Sequence, residues 1–221
     1  MIFFMKKSIY EIILNSFAPD DCYFCQKLGE PICKKCLKSR CNFGNSLSHS
    51  NSIISKEFYL SKRSGELQKI VDEFKFQSKR QNNYYLAKLL SDFLLSNSEF
   101  ISSREKLVLI PVPTLSNHIR ERGLDHTELL ARQLARNLKI KKSTLIKRIS
   151  KTTQRGKNFK TRQIQAKSSY EFIGEKLLEG KIYVIFDDIR TTGATLDSIA
   201  KILLQSGAKE VWAFYLLQQE K

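Results

Sequence analysis

One stretch constrains this chain more than any other: Val184 to Leu196, VIFDDIRTTGATL. Lys181 to Phe186 (KIYVIF) is a continuous run of β-branched and aromatic residues, which reads as a strand buried on both faces, the habit of parallel sheets. From Thr195 to Ser206 the apolar residues Leu196, Ile199, Ile202 and Leu203 fall at helical spacing, with Gly207 as the stop. Strand, tight loop, helix is the repeating unit of an α/β fold, and in open α/β sheets ligands bind beyond the carboxyl ends of the strands. A helix N-terminus placed there offers unpaired N–H groups and a positive dipole end, which suits a phosphate. Gly193 and Ala194 let the backbone come close to it, and the hydroxyls of Thr191, Thr192 and Thr195 can donate further bonds.

Asp187 and Asp188 need a different partner, because two carboxylates repel an anion. They make sense accepting from ribose hydroxyls or holding a divalent metal. Phosphate, ribose and Mg2+ together point to a ribose 5-phosphate group; the plainer alternative is a solvent-exposed turn with a threonine cap. Tyr183 to Thr195 resembles the phosphoribosyl diphosphate (PRPP) signature of type I phosphoribosyltransferases. One position departs: Arg190 stands where that family usually has an aliphatic residue, which leaves the phosphate cradle intact and adds a charge beside it. The resemblance implies that Asp187 and Asp188 face the ribose hydroxyls and that Thr191, Thr192, Gly193, Ala194 and Thr195 wrap the 5′-phosphate, with Mg2+ accompanying PRPP.

A second strand, Lys106 to Ile110, runs into LIPVPTLS. In type I phosphoribosyltransferases the loop at this strand end receives pyrophosphate, and the resemblance carries that role to Pro113, Thr114, Leu115 and Ser116. Downstream, KTTQRGKNFKTRQIQ sits where those enzymes have a mobile catalytic loop. Such a loop closes a basic lid over a diphosphate and excludes water. Arg155, Lys157, Lys160 and Arg162 are its candidates, and Arg155 and Lys157 join Asp187 and Asp188 as the candidate catalytic residues. The alternative is a disordered basic loop. The charge pattern bears on this: formal net charge is +16, and between Glu128 and Glu171 there are thirteen basic residues and no acidic one. A run of that length and single sign is more than solubility requires and calls for a polyanionic partner: diphosphate, nucleic acid or both.

Near the N-terminus stand two C-x-x-C knuckles, Cys22-Tyr-Phe-Cys25 and Cys33-Lys-Lys-Cys36, separated by QKLGEPI. Each knuckle presents two thiolates to one ion, and four close a tetrahedral structural Zn2+ site. A redox pair or chance clustering is the alternative. Cys41 reads as a spare, and His49 as unnecessary.

The knuckles, then IPVPTLSNHIRERGLDHTELLARQLA, then RISKTTQRGKNFKTRQ and YEF, then the PRPP signature resemble the ComF family of bacterial competence proteins over almost the whole chain. Arg120, Arg122 and Gly123 match that family's R-x-R-G element, and Gln154 and Arg162 its glutamine and arginine. Where the family commonly shows R-G-F-N-Q, this chain has Arg122-Gly123-Leu124-Asp125-His126. Membership implies a part in natural transformation, handling incoming single-stranded DNA on the cytoplasmic side alongside other competence machinery. Arg120, Arg122, Lys157, Lys160 and Arg162 are the candidate nucleic-acid contacts. Basic residues interleaved with Phe159 and Tyr170 suit a groove that tracks a single strand while aromatics stack its bases.

The expected fold is α/β: type I phosphoribosyltransferase-like, a mostly parallel sheet flanked by helices, with a small N-terminal zinc-binding subdomain. The expected division is 1–45 for an N-terminal helix and the four-cysteine subdomain and 46–221 for the phosphoribosyltransferase-like domain. The apolar positions Ile9, Ile12, Ile13 and Phe17 form one face of that first helix, and residues 42–55 read as a linker. Further helices are expected from Ser64 through Phe76, over Asn83–Leu95 and over Thr127–Leu138, and strands over Lys56–Leu60, Thr144–Ile149, Tyr170–Ile173 (returning antiparallel) and Glu210–Leu217. No run of eighteen apolar residues exists, and MIFFMKKSIYEIILNSFAP does not read as a secretory signal. The expected location is the cytoplasm, with the periphery of the inner membrane as the other reading. Two functions follow: a competence-type protein that binds PRPP with Mg2+ and handles single-stranded DNA, or an active phosphoribosyltransferase that transfers ribose 5-phosphate to a nitrogenous acceptor.

Overall fold

A computed structural model describes residues 21–29 apart from 23, 32–36 apart from 34, 39, 44–47, 52–63, 65–76, 80–149 and 169–219. The expected N-terminal helix, Cys41, His49 and the whole basic stretch 150–168 lie outside the described residues.

The strands that sequence marks as continuously apolar are the middle of the sheet. β7 (Ile182–Arg190) and β8 (Val211–Gln218) pair in parallel and are flanked by β3 (Leu107–Pro111) and β2 (Lys56–Lys62), also parallel. β1 (Gly44–Leu47) adds antiparallel to β2 at one edge, and β4 (Lys141–Lys142) adds parallel to β3 at the other. The order is β1-β2-β8-β7-β3-β4. A separate antiparallel pair, β5 (Ile146–Arg148) and β6 (Tyr170–Phe172), brackets the basic stretch.

Alternation along the strands sends side chains to two faces, and each face has its own helices. Phe58, Leu60, Val184, Phe186, Trp212, Phe214 and Leu216 pack with Leu67 and Ile70 of α1 (Gly65–Phe76), Leu86, Leu90 and Leu94 of α2 (Arg80–Leu95), and Leu130, Leu134 and Leu138 of α5 (His126–Leu138). Two short helices, α3 (Ser98–Ser103) and α4 (Ser116–Arg122), precede α5. On the other face Val108, Ile110, Tyr183, Ile185, Val211, Ala213 and Tyr215 pack with Leu196, Ile199 and Leu203 of α6 (Ala194–Gln205) and with Ile146 and Tyr170 of the β5–β6 pair. Cys22, Ile32 and Cys36 join the first face, and the Tyr85 hydroxyl donates to the Ile32 carbonyl at 2.6 Å, so the cysteine segment is docked on α2.

Four expectations need correction. The signature strand does not stop at Phe186: β7 continues through Asp187 and Asp188 to Arg190, because β8 runs on beside it to Gln218. The loop is thus only Thr191 to Gly193. The stretch 42–55 is not wholly linker, since residues 44–47 pair with β2. The α5 helix begins one residue before Thr127, since Asp125 caps it: its Oδ1 accepts from the Glu128 N–H at 3.0 Å. The strand expected over Thr144–Ile149 shortens to Ile146–Arg148, while the antiparallel return over 170–172 stands as expected.

Candidate functional site

The carboxyl ends of β3 and β7 lie side by side. Pro111 pairs with Phe186 in parallel register, and the Val112 N–H donates to the Phe186 carbonyl at 2.9 Å. The loop Pro113–Ser116 therefore leaves the sheet next to Asp187. Its Thr114 hydroxyl is committed, donating to Asp125 Oδ1 at 2.8 Å, so one carboxylate both caps α5 and fixes the loop. Leu115 is buried and anchors the loop from beneath, while Ser116 is exposed where α4 begins. Two signals explain the turn after α4: Gly123 takes φ +72°, and Asp125 is the cap. His126, next to that cap, is packed at 3% exposure.

At the end of β7, Asp187 and Asp188 are half-buried. The Asp188 N–H donates to Asp187 Oδ1 at 2.9 Å. The turn then closes tightly. Gly193 adopts φ +79° as the N-cap of α6, and the Ala194 N–H points to Thr192 Oγ1 at 3.4 Å. Thr191 is exposed, Thr192 and Thr195 are half-buried, and the first N–H groups of α6 are thus presented beside three hydroxyls. Carboxylate oxygens of this kind are hard donors that fit Mg2+.

Sequence reasoning took Tyr170 for a base-stacking aromatic and missed its pairing with Arg148. Arg148 and Tyr170 face each other across the β5–β6 pair, and Arg148 Nη1 donates to the Tyr170 hydroxyl at 2.9 Å with the guanidinium 5.2 Å from the ring centre. Burial pushes the Tyr170 phenol up. Arg148 opposes that shift, the Asp187 charge adds to it, and a hydrogen bond with Thr195 opposes it. The tyrosine therefore sits against the strand-end turn, and the two ends of the basic stretch are tied to it. Only the antiparallel register reveals this; nothing in the spacing of residues 148 and 170 does.

The expected lid and catalytic residues Arg155 and Lys157, and the nucleic-acid candidates Lys157, Lys160 and Arg162, lie outside the described residues. So does the side chain of Arg122. Arg120 is exposed on α4, and Arg136, Lys139, Lys141 and Lys147 are exposed elsewhere in the one-sign span. Not all of that span is unpaired: Glu128 holds Lys142 at 2.7 Å and Arg132 at 3.2 Å.

In the cysteine segment, the Sγ atoms of Cys22, Cys25, Cys33 and Cys36 all lie within 4.8 Å of one another, and Cys25 and Cys33 are 3.7 Å apart. A tetrahedron with Zn–S of about 2.3 Å has edges of about 3.8 Å, so the cluster could hold a metal ion. The thiols are crowded enough to disturb each other. Burial raises Cys22, but N–H groups of Cys33, Cys25 and Phe24 outweigh it and bring the thiol down to about 6. Cys36 is pushed up to about 12 by burial and then by its neighbouring thiols. Four such groups ionise together only beside a cation.

A phosphoribosyl transferase domain family matches residues 125–220, which include β7, the turn and α6. The chain is similar to competence protein F of Haemophilus influenzae, at 31% identity over 147 residues, covering 64% of this chain and 63% of the relative. It is also similar to competence protein ComFC of Streptococcus pneumoniae, at 22% identity over 205 residues, covering 87% of this chain and 83% of the relative. The match thus spans a little under two thirds of the first relative's length. A purine phosphoribosyltransferase from Pyrococcus horikoshii OT3 covers 75% of this chain and 89% of its own at 16% identity and a TM-score of 0.36, a loose likeness to which no residue correspondence attaches. No helix among the described residues is long and apolar enough to cross a membrane.

Proposed function

Because the chain belongs to the ComF family of phosphoribosyltransferase-like proteins, we propose that it is a competence-type protein that binds PRPP with Mg2+ at the β7 strand end and handles single-stranded DNA during natural transformation. The observation that carries the reading is the convergence at one strand end of two half-buried carboxylates, a three-residue turn with glycine at φ +79°, and the start of α6. The turn's N–H groups and the hydroxyls of Thr191, Thr192 and Thr195 receive the 5′-phosphate. Asp187 and Asp188 accept from the ribose hydroxyls. Mg2+ neutralises diphosphate charge when it accompanies the ligand. The basic span supplies phosphate contacts for DNA, together with Arg120, exposed on α4. The four-cysteine subdomain, within residues 1–45, is a structural zinc site appended to a domain over 46–221.

The second reading, a working phosphoribosyltransferase, is favoured by one feature. The two strand-end loops are neighbours through the β3–β7 pairing, so the 5′-phosphate and the leaving diphosphate of one PRPP have adjacent seats. Transfer would then proceed by attack of a nitrogenous acceptor at C1′, with breakage of the bond to diphosphate. The rate would come from positioning and from stabilising charge on the leaving group at the Pro113–Ser116 loop, with Ser116 as its free hydroxyl donor, and at Arg155 and Lys157.

Calorimetry of the full chain with PRPP, with and without Mg2+, tests the shared premise. Mg2+-dependent binding is expected, and no binding in either condition refutes both readings. Pyrophosphate release in the presence of candidate bases or single-stranded DNA then separates them: turnover selects the transferase, and binding of PRPP and DNA without turnover selects the competence-type binder.

A further inference from the structure

Arg190 is the residue by which the strand-end motif departs from the usual pattern, and its position in the fold is specific. It is the last residue of β7, with its carbonyl accepting from the Gln219 N–H at 2.8 Å, so the backbone is held by the sheet. The side chain does not run out to solvent. It crosses over β8 to β2, where Arg190 Nε stands 2.9 Å from Glu57 Oε2, with the two side chains only 21% and 7% exposed. This is an ion pair by distance; the Nε–H is not aimed well enough at the oxygen to count as a hydrogen bond. Glu57 Oε2 also accepts from the Tyr215 hydroxyl at 2.7 Å, and Tyr215 stacks flat on Tyr59 with ring centres 5.5 Å apart.

The far end of the guanidinium lies under the turn. A Cβ built on Gly193 would meet Arg190 Nη2 at 3.0 Å and Cζ at 3.2 Å. A side chain at 193 would therefore crowd the guanidinium from above as well as strain a backbone at φ +79°. A flat cation thus occupies the space directly beneath the residue that opens α6, and a buried carboxylate two strands away holds it there. Asp197, in the first turn of α6, feels the same guanidinium.

We propose that Arg190 is a positioning residue of the phosphate turn: anchored by buried Glu57, its guanidinium supports Gly193 from beneath and keeps Thr191–Ala194 in the shape that receives an anion. This deepens the PRPP reading and rests on it for the identity of the anion. A flexible aliphatic side chain at 190 fills space but cannot pair with Glu57. A guanidinium fixed at one end transmits the position of β2 to the turn, and its charge offsets part of the repulsion that Asp187 and Asp188 exert on an incoming phosphate.

The test must separate this from plain stability, because Arg190→Leu alone leaves Glu57 buried and unpaired. The informative protein is the double variant Arg190→Leu with Glu57→Gln. It removes both charges and leaves Tyr215 an oxygen to bond, with Gln218 Oε1 also 2.7 Å away. Hydrogen exchange on the full chain without ligand should show the Gly193 and Ala194 amides exchanging about tenfold faster, with β8 amides and the melting temperature close to wild type. Affinities for PRPP and for ribose 5-phosphate should fall together, by about tenfold, because both carry the 5′-phosphate. Unchanged exchange at the turn overturns the proposal, as does a loss of protection shared equally by β2, β8 and the turn, which would make the pair a general staple. If wild type binds neither ligand while the turn amides still respond, the PRPP reading falls and the support role stands. Arg190→Lys, which keeps a cation without the flat group, should recover less than half of the affinity; full recovery would overturn the role of the guanidinium's shape.

Discussion

The four cysteines and the strand-end turn both gather a few polar side chains around a small volume, yet different forces hold them. The turn inherits its geometry from the sheet: β7 is hydrogen-bonded on both sides by β3 and β8, and α6 packs Leu196, Ile199 and Leu203 against that sheet. The cysteine segment has almost no such inheritance. Among its described residues Cys22, Ile32 and Cys36 are buried in the core, and Phe24 and Cys33 pack partly against it. One region takes its shape from the sheet, and the other gathers four thiols that could hold a metal ion.

The largest expected effect follows from that contrast. Purified protein should carry about one Zn per chain. Stripping it with a chelator, or replacing Cys33 with serine, should expose residues 21–39 to proteolysis and leave the sheet's circular dichroism and cooperative melting in place. Cys41→Ser should retain the metal. Full zinc content in a Cys22/Cys25/Cys33/Cys36 quadruple serine variant would remove the assignment, and global unfolding on chelation would show that the two regions are not independent.

The converse substitution is Asp187→Ala with Asp188→Ala. These side chains sit at a strand end outside both hydrophobic clusters, so the melting temperature should stay within a few degrees of wild type. PRPP affinity should fall more than about a hundredfold, near 3 kcal/mol. Zinc content should not move. An unchanged affinity in calorimetry would take ribose recognition away from this strand end.

A third experiment asks to which region the basic stretch belongs. Binding of single-stranded DNA should weaken with salt, with a log–log slope of about −0.7 for each phosphate contacted. Reversing Lys157, Lys160 and Arg162 to glutamate should cut affinity and make that slope shallower by about 2 if all three make contacts. If the stretch also closes over diphosphate, PRPP affinity drops in the same variant. A drop for PRPP alone favours the transferase, and a drop for DNA alone favours the binding module. No change in either would make the stretch a solvated face.

Most of the fold was legible because it is written locally. The apolar runs KIYVIF and EVWAFYLL can be little other than buried strands, and the leucines of α5 recur at helical spacing. The cysteine cluster was legible for a different reason: C-x-x-C spacing states its own chemistry. What stayed hidden depends on pairing. Whether β7 ends at Phe186 or at Arg190 is decided by β8, which continues alongside it. Gly44–Leu47 looks like linker because its polar residues gain strand character only from β2. At the site, Asp187, Asp188 and the threonines could be read from one segment. Glu57, which holds Arg190 beneath the turn, and the Arg148–Tyr170 pair come from segments far apart in the chain, and no periodicity announces them.

The smallest expected effect belongs to that last pair and sharpens the comparison most finely. Tyr170→Phe keeps the ring, its packing among Ile146, Leu196 and Ile199, and the Arg148 guanidinium over its face. It removes only the hydroxyl that accepts from Arg148 Nη1 at 2.9 Å and that bonds Thr195. A net loss of about 1–2 kcal/mol is expected, because the hydroxyl makes two bonds in a partly buried place. If the pair belongs to the strand-end site, that loss appears as a several-fold weaker PRPP affinity with a melting temperature almost unchanged. If it only closes the base of the β5–β6 pair, the loss appears in stability and leaves affinity alone. The phenol is pushed above its ordinary value of 10.0, so it stays protonated through neutral pH. The difference between wild type and the Tyr170→Phe variant should therefore be flat from about pH 6 to pH 9, because the tyrosine keeps its proton throughout that window in both folded and unfolded chains. A difference that changes sharply within that range would mean that another group carries the effect. Zinc content, measured on the same samples, should be identical, because Tyr170 packs in the cluster on one face of the sheet and Cys22 and Cys36 in the cluster on the other.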